Sequence, residues 1–308
     1  MKQTVYCKFN QSRCPAYATK TSILEENGRK TVLKTAMTEE GRAHIRSFAD
    51  KSAQLQRLYQ QVHVLEVAVR DDCAIFPFVE GHTIASRIEE QLPHPQKAIE
   101  TMKEWLAKIE DYSSEFVTPF VPSEAFSKVF GEVEYRGDAV TAANVDEIFD
   151  NFLLTGDGLT LIDYEWVFDF AVPVDYIRFR TVYYFYVKNH SILSQTWDEG
   201  VYLKEFGFSL SETALWKQMD ERFQQYVHGR NRRYYYTPHY EGAIHDINYL
   251  LNHVSDIGKE FTNLHRISDQ YDELVPQLRQ LYYDIQLKHY PGYLKKRLQK
   301  KLSRKKSE

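Results

Sequence analysis

Cysteine is scarce in this chain of 308 residues, which contains only Cys7, Cys14 and Cys73. An odd number of cysteines without Cys-x-x-Cys spacing favours neither a disulfide framework nor a zinc site. We therefore expect reduced thiols and a cytoplasmic protein.

Long apolar runs are also missing. No stretch approaches the roughly 18 to 20 uninterrupted apolar residues of a membrane helix, and the apolar run 181–187 is bracketed by Arg180 and Lys188. The opening MKQTVYCKFN holds one lysine and no apolar segment, so we expect no secretory signal. These absences predict a chain that does not span a membrane.

Aromatic residues are abundant, at 14% of the chain, and charged residues make up 27%. This composition is typical of a globular protein and not of a disordered one. The charge is unevenly distributed: residues 288–308 contain nine basic side chains and one acidic side chain, so this tail is +8 and the remainder −12.

Three polar side chains in the stretch from Asn144 to Phe170 have the spacing that phosphoryl transfer requires: Asp146, Asn151 and Asp163. Between the last two, FLLTGDGLTLI predicts a β-hairpin with strands at 152–154 and 159–162 and a turn at 156–158. A hairpin brings its ends together, so Asn151 and Asp163 should lie side by side, where their oxygens can hold Mg²⁺. The alternative is a polar turn on the surface.

This arrangement resembles the catalytic core of the protein-kinase-like phosphotransferase superfamily. Asn144 stands where that family usually has histidine, and Tyr-Glu-Trp follows Asp163, as in the aminoglycoside and choline kinase branch. The resemblance implies ATP and Mg²⁺ as cofactors. It also implies that Asp146 is the catalytic residue, which deprotonates a hydroxyl acceptor, and that Asn151 and Asp163 are metal ligands.

Strand patterns fill residues 4–37, with Asn27-Gly28 as a hairpin turn. The resemblance makes these the first strands of a small lobe and gives Lys34 the role of contacting the nucleotide phosphates. A lysine on the inner face of a strand is costly unless an anion pairs with it, and the alternative is an outward-facing edge lysine. The loop NQSRCPA between the first two strands has no glycine, so a glycine-rich phosphate lid is missing.

A capping signal at Thr38-Glu39-Glu40 predicts a helix that runs to about Gln61. The resemblance implies that a glutamate of this helix pairs with Lys34. The candidates are Glu39 and Glu40, of which Glu40 is assigned to the nucleotide site, although capping of the helix explains both residues equally well.

Further strands are predicted within 62–79, with a turn at Asp71-Asp72. The segment CAIFPFVEGHTIASRI resembles an inter-lobe hinge. The resemblance implies that backbone groups from Phe78 to Glu80 bind adenine, that Gly81 lets the chain turn, and that a short helix starts at Thr83. The alternative is an ordinary strand-turn-helix junction.

Helical spacing predicts a long helix over 95–112, a buried helix after Pro173 and another helix over 211–228. The predicted fold class is α+β: a bilobal protein-kinase-like fold with a small antiparallel-sheet N-lobe and a mainly helical C-lobe, followed by a C-terminal coiled-coil helix. The predicted boundaries are 1–78 for the N-lobe, 79–240 for the C-lobe, 244–289 for the coiled coil and 290–308 for a basic amphipathic tail.

The last part of the chain carries signals for partners. Apolar residues recur at heptad positions from 247 to 285, which favours a coiled coil and a homo-oligomer over a long helix packed on the C-lobe. The tail suits either an anionic membrane surface or solvent. Arg230, Arg232 and Arg233 precede three tyrosines, a cluster that can bind nucleic acid. A plain loop or a sugar-binding edge is favoured over nucleic-acid binding, because the rest of the chain is acidic.

The segment WVFDFAVPVDYIRFR is similar to kinase-like modules of bacterial surface-polysaccharide synthesis, of rhamnan or O-antigen type. This likeness implies that the acceptor is a sugar hydroxyl of a surface glycan. Two other hypotheses stay open: a pseudokinase scaffold of a membrane-associated polysaccharide-synthesis complex, and a soluble small-molecule kinase of choline or aminoglycoside type.

Overall fold

The computed structural model describes residues 3–10, 12–156 and 158–229. All of them belong to one unit, Met1–Tyr236. The arginine and tyrosine cluster at 230–236, the heptad segment and the basic tail lie outside the described residues. The predicted coiled coil, homo-oligomer and membrane contact therefore stay predictions, as do the four domain boundaries.

An antiparallel sheet with two helices forms the first part of the chain. Its elements are β1 (Gln3–Phe9), β2 (Thr19–Glu26), β3 (Arg29–Ala36), α1 (Arg42–Arg46), α2 (Phe48–Leu58), β4 (His63–Val64), β5 (Ala68–Arg70) and β6 (Cys73–Pro77), with a 3₁₀ helix at Pro15–Tyr17. Five of these strands form one sheet in the order β1-β2-β3-β6-β5. Every neighbouring pair in it is antiparallel, as predicted for this region.

Local turn chemistry shapes this sheet. Asn27 and Gly28, between β2 and β3, both have positive φ, at 52° and 76°. A two-residue turn of this kind matches the twist of the flanking strands. Asp71, between β5 and β6, has a φ of 51°. Both predicted turns are confirmed by the pairing of the strands on either side.

The helix predicted from Thr38 begins later than expected and is broken once, at Ser47, between α1 and α2. The Thr38 hydroxyl accepts a hydrogen bond from the Gly41 N–H at 3.1 Å, which closes a turn ahead of α1. Glu39 and Glu40 lie within that turn, before the first helical residue. The threonine therefore stabilises a turn that precedes the helix and does not cap the helix itself.

The second part of the chain is mainly helical, with short strand pairs. Its elements are β7 (His82–Thr83), α3 (Ile84–Glu89), α4 (Pro95–Ile109), β8 (Val117–Pro119), α5 (Glu124–Phe130), β9 (Asp138–Val140), β10 (Ala143–Asn144), β11 (Phe152–Thr155), β12 (Gly158–Leu161), β13 (Val167–Phe168), β14 (Val172–Pro173), α6 (Val174–Lys188), α7 (His190–Leu193), α8 (Glu199–Lys204) and α9 (Leu210–His228), with a 3₁₀ helix at Phe149–Asn151. An antiparallel sheet followed by a mainly helical part is the order that the α+β prediction requires.

The predicted hairpin is confirmed as β11 and β12, which pair antiparallel with Phe152 opposite Leu161. It is the centre of a four-stranded sheet in the order β4-β12-β11-β7. β4 pairs with β12 in parallel, and β7 pairs with β11 antiparallel. Because β4 belongs to the first part of the chain, this sheet joins the two parts around the hairpin.

Gly81 lies at a close approach between backbones. A β-carbon at this position would lie 2.7 Å from the Leu154 carbonyl oxygen in β11. A distance below 3 Å excludes any side chain unless the backbone shifts, so the close contact with the hairpin accounts for the glycine. The predicted short helix follows as α3, with the Thr83 hydroxyl accepting from the Ser86 N–H at 3.0 Å.

Aromatic side chains pack the core of the second part. The aromatic run of α6 serves packing, as predicted: Tyr176, Phe179, Phe185 and Tyr186 are all buried. α9 begins with a capping box between Ser209 and Glu212. Among the helices of the described ranges, none is long and apolar enough to cross a membrane.

Candidate active site

Lys34 lies on β3 with its side chain only 6% exposed. Its ammonium group forms ion pairs with Asp163 and with Glu165 Oε2, the latter at 3.2 Å. Burial alone would lower the pKa of Lys34, but the two carboxylates outweigh it and raise that pKa above its ordinary value. The structure therefore places Lys34 on an inner face, paired with anions, and excludes the outward-facing alternative.

Glu165 is the carboxylate around which the site is built. Its side chain is 3% exposed, and it accepts a hydrogen bond from Arg13 while Nε2 of His44 lies 3.0 Å away. Its backbone carbonyl accepts from Lys51 Nζ at 2.6 Å. Burial would raise the pKa of Glu165, but the charges of Lys34 and Arg13 outweigh this effect and hold that pKa well below its ordinary value. Glu165 is therefore a buried anion.

The assignment of Glu40 as the partner of Lys34 is wrong. Glu40 is exposed in the turn before α1, and Glu39 forms a surface ion pair with Arg42 at 3.0 Å. Because the helix begins only at residue 42, both glutamates precede it, and α1 instead contributes His44 to the site. The carboxylate partners of Lys34 come from the segment that follows the hairpin.

Asn151 and Asp163 lie side by side, as the hairpin predicts. The Asn151 side-chain amide donates to the Asp146 carbonyl at 2.9 Å and to the Asp163 carbonyl at 3.4 Å. The Asn151 carbonyl accepts from the Ile162 N–H at 2.8 Å. One amide group thus joins the two segments that carry the aspartates.

Asp163 has an unusual backbone. Its φ is 52°, a left-handed conformation that costs a non-glycine residue on the order of 1 kcal/mol or more. Its side chain remains 50% exposed although it is paired with Lys34. This strained residue is held in place from both sides, by the Lys34 ion pair and by the Asn151 amide.

Asp146 lies on the loop before the hairpin, where the Asn144 side-chain oxygen accepts from the Asp146 N–H at 3.2 Å. Burial raises the pKa of Asp146 to about 7; the Arg180 charge opposes this shift, whereas Asp163 and Glu165 reinforce it. A carboxyl group with this pKa exchanges a proton near neutral pH. Such a group is suited to general base catalysis.

Arg180 of α6 contacts the loop that carries Asp146. Its guanidinium donates to the Val145 carbonyl at 2.8 Å and lies 3.5 Å from Asp146 Oδ1. Asp220 of α9 pairs with it, and the Phe223 ring lies 4.9 Å away. The side chain is buried, so it fixes the orientation of Asp146 and is not open to solvent.

The residues predicted for adenine binding lie at the end of β6. The Phe78 N–H donates to the Lys30 carbonyl at 3.4 Å, and Lys30 Nζ lies 5.2 Å from the Phe78 ring centroid. Glu80 is exposed between β6 and β7. A contact from the Phe78 N–H to adenine would therefore have to replace its bond to Lys30.

The donor set of this site fits Mg²⁺. The Asp163 carboxylate and the Asn151 side-chain amide offer the oxygen donors that Mg²⁺ prefers, and the Asn151 side-chain nitrogen is engaged in hydrogen bonds to two carbonyls. Within the described ranges, no group of three or more histidine, cysteine, aspartate or glutamate residues is placed to hold a metal.

Sequence reasoning found Lys34, Asp146, Asn151 and Asp163, which the structure brings together. It missed the residues that surround them: Arg13, His44, Lys51, Glu165 and Arg180. Two of them carried a local signal. Arg180 is a charged residue in the apolar and aromatic run of α6 and needs a buried partner. Glu165 belongs to the Tyr-Glu-Trp motif after Asp163, for which no role was predicted.

No family model matches the sequence, and no curated protein matches it. Among solved structures, the chain is similar to a macrolide 2′-phosphotransferase type I at 15% identity, with 70% of this chain and 81% of that chain covered and a TM-score of 0.32. Macrolide 2′-phosphotransferase MphH from Brachybacterium faecium matches at 11% identity, 71% and 83% coverage and a TM-score of 0.32. A thermostable mutant of aminoglycoside phosphotransferase APH(4)-Ia matches at 12% identity, 73% and 94% coverage and a TM-score of 0.34.

Proposed function

We propose that the chain is an ATP- and Mg²⁺-dependent phosphotransferase whose acceptor is a sugar hydroxyl. One observation carries the proposal: the Asn151 amide joins Asp146 to Asp163, and Asp163 in turn pairs with the buried Lys34. A base, a metal ligand and a phosphate-binding cation are thus linked within one site. These are the parts that phosphoryl transfer uses for positioning and for charge stabilisation.

Each residue then has a chemical role. Asp146 accepts the proton of the acceptor hydroxyl. The hydroxyl oxygen then bonds to the γ-phosphorus, and the bond from that phosphorus to the departing ADP oxygen breaks. Lys34 offsets charge on the phosphates, and Asn151 with Asp163 would hold Mg²⁺. When bound, Mg²⁺ with ATP supplies the phosphoryl group and the metal charge that offsets its oxygens.

The acceptor class rests on the likeness of 166–180 to modules of bacterial surface-polysaccharide synthesis. A small molecule of aminoglycoside or choline type is the alternative acceptor. The experiment is transfer of radiolabelled γ-phosphate from ATP to separate panels of isolated surface glycans, nucleotide sugars, aminoglycosides and choline. We expect Mg²⁺-dependent labelling in one of the glycan or sugar panels and none with Asp146→Asn.

A pseudokinase scaffold is the second candidate. It is favoured by the loop between β1 and β2, which has no glycine, and by Asn144 in place of histidine before Asp146. Nucleotide binding without transfer to any acceptor would support it. So would full complementation of a deletion strain by a folded double variant, Asp146→Ala with Asp163→Ala. Loss of complementation in that folded variant would support the enzyme instead.

A further inference from the structure

The loop between β1 and β2 is fastened to the end of α9. The Cys14 N–H donates to the Val227 carbonyl at 2.9 Å. His228 Nδ1 lies 2.7 Å from the Ser12 carbonyl oxygen. The Tyr17 and Tyr226 hydroxyl groups are also hydrogen-bonded. In the proposed enzyme this loop occupies the place of the phosphate lid, and here it is fixed from the opposite part of the fold.

The same loop brings Arg13 into the site. Its guanidinium pairs with Glu165 Oε1, lies 3.5 Å from the Thr19 hydroxyl and lies 5.4 Å from the Trp166 ring centroid. Lys34 Nζ binds the other oxygen of Glu165. Arg13 and Lys34 are therefore neighbours that share one carboxylate, although Arg13 lies in the loop after β1 and Lys34 lies on β3.

Basic and acidic side chains alternate in this cluster. Arg13 and Lys34 pair with the Glu165 carboxylate, Lys34 also pairs with Asp163, and Lys51 donates to the Glu165 backbone carbonyl. His44 adds no charge near neutral pH, because burial lowers its pKa in spite of the nearby Glu165. An anionic ligand next to Arg13 and Lys34 would supply further acceptor oxygens to two cations that share the Glu165 carboxylate.

We propose that Arg13 contacts the phosphates of the bound nucleotide and takes the place of the backbone amides of a glycine-rich loop. The proposal rests on the function proposed above. A guanidinium has five N–H donors in a planar fork that fits phosphate oxygens, and the Arg13 side chain is 17% exposed. Glu165 orients the fork, and the contacts to α9 fix the loop before a ligand arrives, which reduces the entropic cost of binding.

Calorimetric titration of the full chain with ATP and with adenosine, both in the presence of Mg²⁺, tests this role. Arg13→Ala should weaken ATP binding at least tenfold and leave adenosine binding unchanged, because adenosine has no phosphate. Arg42→Ala is the matched control: Arg42 lies in the same part of the fold but forms an exposed pair with Glu39. We expect a change below twofold for both ligands with this control.

Arg13→Gln keeps a hydrogen-bond donor for Glu165 and should show the same phosphate-specific loss, so the test survives if the alanine variant does not fold. If the folded Arg13 variants bind ATP as the wild type does, or lose ATP and adenosine binding equally, the inference is overturned while the proposed function stands. If the wild-type chain binds ATP no more tightly than adenosine, both the inference and the proposed function are overturned.

Discussion

Replacement of Glu165 by glutamine should destabilise the protein by about 3 kcal/mol. Glutamine keeps the shape and one acceptor oxygen but removes the negative charge that Arg13 and Lys34 share. Breaking a buried ion pair at one partner costs roughly 3–5 kcal/mol because the other charge stays buried. We expect a value at the lower end, since Lys34 retains Asp163 as a partner.

Urea unfolding followed by circular dichroism at pH 7 measures this difference. Glu115→Gln is the matched control, because Glu115 forms an exposed pair with Arg57 at 3.1 Å. An exposed pair contributes about 1 kcal/mol at most. The loss at Glu165 should persist in 0.5 M salt, because buried pairs are screened much less than exposed ones. A loss at Glu165 no larger than that of the control would refute the reasoning.

The pH dependence gives an independent check on Glu165. Its pKa is held well below the ordinary 4.5 in the folded state. The stabilisation is therefore present above pH 4.5 and is lost as the pH falls below that value. The stability difference between wild type and Glu165→Gln should shrink over this acidic range, and a constant difference would contradict the assignment.

Three further predictions concern single residues. Asp146→Asn should lower kcat at least about a hundredfold, because it removes the general base. Wild-type kcat/KM should rise with pH around 7, where the raised pKa of Asp146 lies, since only the carboxylate form accepts a proton. A flat profile of kcat/KM from pH 5.5 to 8.5 would count against this role. Glu147 is buried and accepts hydrogen bonds from the Tyr59 and Tyr112 hydroxyl groups at 2.5 and 2.6 Å. Burial raises its pKa from 4.5 to about 8 although these two bonds oppose the shift, so the folded state holds the proton more tightly and the free energy of unfolding should fall, by up to about 5 kcal/mol, as the pH rises from 4.5 to 8. Urea unfolding of Glu147→Gln should lack that fall, and an identical pH dependence in wild type and variant would disprove it. Gly81→Ala should lower stability by about 1–3 kcal/mol in thermal unfolding, because its β-carbon would meet the Leu154 carbonyl at 2.7 Å, whereas Gly156→Ala meets nothing within 4 Å and should change little.

The features predicted correctly from the sequence are those set by local chemistry. The Asn27-Gly28 turn and the β11–β12 hairpin each depend on a few neighbouring residues, and their strand pairing follows. The hairpin then brings Asn151 to Asp163 because its ends must meet. The proximity of Asn151 and Asp163 could therefore be predicted without any knowledge of contacts between distant residues.

The surroundings of Glu165 depend on contacts between residues far apart in the chain. Arg13 and His44 meet Glu165 across more than a hundred residues, and no periodicity or turn signal encodes such a pairing. The wrong assignment of Glu40 shows that a local signal can also mislead. The predicted helix start depended on Thr38, whose hydroxyl instead closes a turn onto Gly41, and that turn leaves Glu40 exposed.

The sequence predicted a structural role for Gly81, but the structure gives a different reason for the glycine. The sequence suggested that a glycine lets the hinge turn, whereas the structure shows a backbone carbonyl of β11 where a β-carbon would lie. The close approach arises from the pairing of β7 with β11. Strand pairing between distant segments is invisible in the local pattern around the glycine.

Titration of Mg²⁺ with ATP into the purified full chain, followed by calorimetry, tests the central claim most directly. We expect saturable binding with a dissociation constant below about 1 mM, in the range typical of enzyme substrates. Binding should weaken when Mg²⁺ is withheld and should be lost in Asp163→Ala. Absence of binding by the folded wild type at millimolar ATP, or unchanged binding by Asp163→Ala, would contradict it.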